Sequence, residues 1–129
     1  MAELVRDIAG YLITKKHATA VSKDVFLNSR PDKPDDLISL YDTGGFPPEI
    51  AISPLRRTVQ VSTRNILYAS GWELIWDLFK CLDTPEKRVF IMNGRKLFIK
   101  ATQPPSFLGR DDSNRALFSF NLEVITTRD

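Results

Sequence analysis

Apolar and polar positions along this chain recur with two periods, and the switches between them mark its elements. Leu4, Val5, Ile8, Ala9 and Leu12 fall at helical spacing opposite Glu3, Arg6, Asp7 and Thr14, which predicts a helix over 2–14. Acids in the first turn and Lys15 and Lys16 after the last follow the order the helix dipole favours. Residues 17–24 are polar and read as a loop, and Val25-Phe26-Leu27 as a short strand. Pro31 and Pro34 among charges make 28–36 an exposed connection. Residues 37–41 form a second strand. Asp42-Thr43-Gly44-Gly45-Phe46-Pro47-Pro48 then breaks regular structure, through glycines that permit positive φ and prolines that lack a donor. Val59, Val61 and Thr63 alternate with Gln60 and Ser62, a third strand over 58–63 with one buried face.

The second helix, over 66–82, carries the strongest pattern. Its polar residues Ser70, Glu73, Asp77 and Lys80 are spaced 3, 4 and 3 apart, a stripe of roughly 80° at about 100° per residue. Trp72, Leu74, Ile75, Trp76, Leu78, Phe79, Cys81 and Leu82 cover the rest. A helix on one sheet needs an apolar stripe little wider than about 100°, so this one has surplus apolar surface. Either the first helix covers the surplus or a neighbouring subunit does. Cys81 lies in the apolar arc and reads as a small core residue.

Asn93-Gly94 between Val89-Phe90-Ile91-Met92 and Leu97-Phe98-Ile99 is a hairpin signal, because a type I′ turn needs positive φ twice. Pro104, Pro105, Gly109 and charges make 103–114 a long loop. Ala116, Phe118, Phe120, Leu122 and Val124 alternate with Leu117, Ser119, Asn121 and Glu123, a long and central antiparallel strand over 116–127. This order predicts an α+β fold: an antiparallel or mixed sheet with two main helices on one face.

Composition narrows the function. At 129 residues the chain has the length of one domain, 1–129. Apolar residues at 43% and charged residues at 26% match ordinary globular usage. The net charge of +2 gives no reason to expect a polyanion binder. One cysteine excludes an internal disulfide and fits a reducing compartment. The N-terminus lacks the apolar stretch of a signal peptide, and no run is long enough for a membrane span. One histidine, His17, placed in a polar loop, cannot assemble a histidine-pair or Cys/His metal site within the chain. No phosphate-cradling glycine loop or Gly-x-Ser-x-Gly turn is present. The expectation is a protein that assembles, with no cofactor and no catalytic residue.

One motif points elsewhere. Leu40-Tyr41-Asp42-Thr43-Gly44 resembles the catalytic loop of aspartic proteases, and Phe107-Leu108-Gly109-Arg110-Asp111 the second signature of their retroviral-type members. A dimer would have to pair two Asp42 carboxylates around a shared proton. Gly45 stands where that family has Ala or Ser, two prolines follow, and a strand replaces its C-terminal helix. The simpler reading is a turn in which Asp42 and Thr43 bond their own backbone.

An ordered set of segments carries a broader resemblance. These are Asp7-Ile8-Ala9 with Tyr11-Leu12, Val25-Phe26-Leu27, Arg30-Pro31-Asp32 with Pro34-Asp35, Leu40 to Gly45 with Pro47-Pro48, Val59 to Arg64, and Tyr68-Ala69. Over roughly 4–80 the chain resembles a bacteriophage minor capsid protein family related to tail-terminator, or tail-completion, proteins. The resemblance implies a virion protein of the phage neck, assembled in the host cytoplasm. It implies a homo-oligomer, usually a hexameric ring, that caps the head-proximal end of the tail tube and stops its polymerisation. Its expected partners are the tail tube protein and a head-completion or connector protein. The resemblance also implies that genomic DNA passes through the lumen without specific binding, and no membrane partner is expected. Another neck protein, head-completion or connector-associated, is the alternative role. Candidate interface residues are Asp42, Gly44, Gly45, Arg56, Arg57, Arg64, Trp72 and Trp76. Arg56 and Arg57 read as a solvated strand edge, an inter-subunit ion pair or a lumen lining, and Arg64 as a structural or interface residue.

Overall fold

The structure is a computed structural model that describes residues 4–45 and 55–126. Its elements in chain order are α1 (Leu4–Thr14), β1 (Val25–Leu27), β2 (Leu37–Gly45), β3 (Leu55–Asn65), α2 (Tyr68–Leu82), β4 (Val89–Met92), β5 (Arg95–Ala101), β6 (Ser106–Arg110) and β7 (Ala116–Thr126). The strands form one mixed, curled sheet in the order β1-β2-β3-β7-β5-β4, with β6 also pairing β7. Only the β1–β2 pairing is parallel among these strands. The α+β expectation holds, and both helices pack on the same face.

The alternation in β7 explains its central place. Phe118, Phe120, Leu122 and Val124 are fully buried on the helix side. One edge of β7 pairs with the whole of β3, and the other is shared between β5 and β6. Ile38 and Leu40 of β2, Val59 and Val61 of β3, Leu97 and Ile99 of β5, and Phe90 and Met92 of β4 continue the same buried layer. Between Met92 and Arg95, Asn93 and Gly94 have φ of 52° and 78°, the double positive φ of the expected hairpin.

α1 packs against β1 and β2 at one end of the sheet and β4 at the other, so the curl closes around it. Asp7, 5% exposed, ties α1 to the hairpin. Its carboxylate accepts hydrogen bonds from Arg95 Nη2 at 3.0 Å and Asn93 Nδ2 at 3.3 Å. α2 lies across β3, β7 and β5.

Three strands depart from the sequence expectation. β2 does not stop at Tyr41 but runs to Gly45. Between Asp42 and Gly45 its register shifts by one residue against β3, a bulge with Gly44 at φ 95°. The glycines thus bend a strand instead of ending it. Residues 46–48 of the expected break lie outside the described residues. The expected loop 103–114 contains β6, whose bulge between Phe107 and Gly109 sits where Gly109 adopts φ 111°. β3 is longer than expected, since its polar ends, Arg56-Arg57 and Arg64-Asn65, pair fully with β7.

Candidate functional site

The sequence-derived candidates fall into separate places. Asp42, Gly44 and Arg57 come together on the β2 bulge. Arg57 Nη2 lies 2.6 Å from Asp42 Oδ2, Arg57 Nε donates to the Gly44 carbonyl at 2.9 Å, and Gly44 N–H donates to Asp42 Oδ1 at 3.0 Å. The two side chains are partly exposed, and each satisfies the other within the chain. Thr43 and Thr58 share a 2.6 Å hydroxyl contact beside them. Arg56, the residue before Arg57, is exposed, and Gly45 pairs with Arg57 in the β2–β3 ladder.

This geometry sets Asp42 apart from the second protease-like segment. Asp42 lies level with Leu122 of β7 through Val59, whereas Gly109 pairs with Leu117. These positions are 122 − 117 = 5 residues apart along β7, or about 17 Å at strand rise. Within one chain the two segments do not converge.

Arg64 is structural. It is 3% exposed on the convex side of the sheet and donates to the backbone carbonyls of Asp32, Pro34 and Asp35 at 2.6–3.0 Å. Burial lowers its pKa, and neighbouring Arg115 adds to this. Arg115 pins the same 28–36 connection. It lies within 3.0 Å of carboxylate oxygens of Asp32, Asp35 and Asp111. The Arg115 backbone N–H bond to Asp111 and the Arg115 guanidinium hold the Asp111 carboxyl below the usual range, against the opposing effect of burial. The Asp35 carboxyl is likewise held low, first by Lys33 and then by Arg115. The connection is exposed, as expected, but its acids and carbonyls solvate two arginines across more than 25 residues of sequence. No local signal in the sequence marks that pairing.

Trp72 and Trp76 differ in environment. Trp72 is half-buried against Phe118, with ring centroids 5.0 Å apart, and Trp76 is 38% exposed with its ring edge-on to Phe79. The apolar surplus of α2 is divided. β3, β7 and β5 take one side, and α1 approaches where Tyr11 and Lys15 lie near Cys81. Cys81 is half-buried, not a sealed core residue, and burial pushes its thiol pKa up, which disfavours the nucleophilic thiolate.

The larger unassigned features are apolar. Ile66 and Leu67, expected in the helix, precede it and are 51% and 66% exposed. With Tyr68, Phe107 and Leu108 they form an apolar surface where α2 begins beside β6. Tyr68 bridges Phe107 and Phe118 at 5.1 and 5.7 Å. A second exposed set, Val89, Ile91 and Phe98, lies on the convex side of β4 and β5. Its signal in the sequence was the unbroken apolar run Val89-Phe90-Ile91-Met92, which buries only every second residue.

A groove of about 590 Å³ runs between α1 and β4, lined by Tyr11, Thr14, Lys15, Ile91 and neighbouring residues. The one acid in its lining, Asp7, is engaged by Arg95 and Asn93. Among the described residues no three His, Cys, Asp or Glu side chains are placed to hold a metal, and no helix is long and apolar enough to cross a membrane. Exposed apolar patches of this kind mark contact surfaces.

A family model described as bacteriophage tail terminator protein matches residues 12–128. No curated protein matches the sequence. Seven chains of solved structures match its fold. One, known only by a sequence identifier, aligns over 98% of this chain and 99% of its own with a TM-score of 0.58 and 13% identity, a likeness of fold.

Proposed function

The chain belongs to the bacteriophage tail terminator family and is therefore a virion component, and from that premise we propose that it is the ring-forming subunit that ends the tail. Copies close into a ring, usually hexameric in such proteins, on the head-proximal end of the tail tube. The ring blocks further addition of tube protein and offers its other surface to a head-completion or connector protein. DNA passes through the lumen without being gripped. The single observation that carries this reading is the family match over 12–128. The exposed apolar surfaces support it, because a ring subunit must meet its neighbours through two unlike faces. So does the mixed charge, since a conduit with many unpaired Lys and Arg would bind its cargo tightly.

Of the sequence-derived candidates, Trp76 is the best placed for a subunit contact and Arg56 is accessible. Asp42, Gly44 and Arg57 hold the β2 bulge, and Arg64 holds the 28–36 connection. The proposal is tested by adding the purified protein to polymerising tail tube protein and measuring tube lengths by electron microscopy. Growth stops and the tube ends carry added density if the chain is a terminator. Unchanged growth with bare ends refutes the reading.

A further inference from the structure

The two unlike faces are visible in the arrangement of charge around the exposed apolar residues. On α2 the outward stripe consists of Ala69, Ser70, Glu73, Trp76, Asp77 and Lys80, all exposed. It presents one large aromatic with two acids beside it, on the helix side of the molecule. On the opposite, convex side, Val89, Phe98 and Ile125 form a cross-strand row over β4, β5 and β7. Ile91 lies next to it, 66% exposed. Lys96 pairs across from Ile91, Lys100 lies two residues beyond Phe98, and Arg56 pairs across from Ile125. Glu123, the partner of Lys100 in the ladder, is the acid of this patch. The patch is therefore apolar at its centre with an excess of positive charge at its rim, and the α2 stripe is apolar at Trp76 with an excess of negative charge.

We infer that these faces bind each other between copies: the α2 stripe of one subunit seats on the convex β4–β5–β7 patch of the next. Trp76 covers Phe98 and Val89, and Glu73 and Asp77 lie towards Lys96 and Lys100. The occupant is a second copy because both halves of the match, in apolar centre and in sign of charge, are present on the same chain. A helix-side face meeting a sheet-side face gives a front-to-back contact, which is heterologous, the class of contact that forms a ring when the rotation between copies closes. Like charges brought together at such a face suppress association strongly. The inference rests on the ring reading above and names the faces that form it.

Charge reversal tests it. One variant carries Glu73→Lys with Asp77→Lys, and the other Lys96→Glu with Lys100→Glu. All four positions are exposed, so both variants keep the wild-type circular dichroism. Native mass spectrometry is expected to show wild-type rings, and self-association weakened about tenfold or more in each variant alone. In the mixture every contact joins opposite charges, so equal amounts of the two variants recover a particle of alternating subunits. Wild-type rings together with variants that also assemble alone, or a mixture that stays monomeric, overturn the proposed contact and leave the ring reading intact. A wild-type chain that is monomeric both in solution and on tube ends overturns the ring reading and the contact with it.

Discussion

Gly71 of α2 lies directly over the ring of Phe118. A Cβ at Gly71 would stand 2.2 Å from Phe118 Cε2 and 2.9 Å from its Cδ2. Phe118 is fully buried in the middle of the sheet, stacks on Tyr68 and packs at a tilt against Trp72, so it has little room to retreat. The seating of α2, and with it the direction of its outward stripe, depends on the missing side chain.

Gly71→Ala therefore destabilises the protein by about 1–3 kcal/mol, although alanine is favoured over glycine in a helix by about 1 kcal/mol. Gly94→Ala is a useful comparison. Nothing lies within 4 Å of a Cβ there, and the cost comes from the backbone φ of 78° alone, about 1 kcal/mol. Denaturant melts of the two variants separate a steric from a conformational cost.

Acid should loosen the convex side. Asp111 and Asp35 hold their protons more weakly in the folded state than in the unfolded chain, because Arg115 and Lys33 favour their charged forms. The unfolded chain then binds more protons in acid. The contribution of these groups is complete above the unfolded carboxylate value of about pH 4 and is lost as pH falls through the lower folded values. Arg115→Gln lowers the melting temperature at neutral pH and flattens its fall between about pH 4 and pH 2. Thermal melts across that interval check both effects.

Asp42→Asn separates a strand ornament from a catalytic acid. The Asp42–Arg57 pair is partly exposed, so its loss costs about 1 kcal/mol or less. Tube capping is expected to survive. Peptidase assays at acid pH on the wild-type chain should detect no cleavage for the variant to lose. Acid-dependent cleavage by the wild type that is abolished in the variant would revive the protease resemblance.

Much of the fold was legible because its signals are local. Asn93-Gly94 announces its own hairpin, and the alternation from Ala116 onward requires a strand with one buried face. The β2 bulge and β6 were hidden for a local reason too. Gly44 and Gly109 look like chain breaks, yet each supplies a positive φ inside a bulged strand. The way Arg64 and Arg115 anchor the 28–36 connection could not be read, since the carbonyls and acids they hold there are 29 to 83 residues away. The helical surplus was legible too, and Trp76 is the part of it that the fold leaves exposed. The convex patch stayed hidden until pairing placed Val89, Phe98 and Ile125 in one row.

The central claim is that copies of this chain close into a ring on the end of a tail tube. It is tested most directly by the mass of the particle the purified protein forms, alone and with tubes. The account predicts a closed multiple of the 14.7 kDa chain bound at one end of each tube. A species that stays at the mass of one chain, and leaves both tube ends bare, would contradict it.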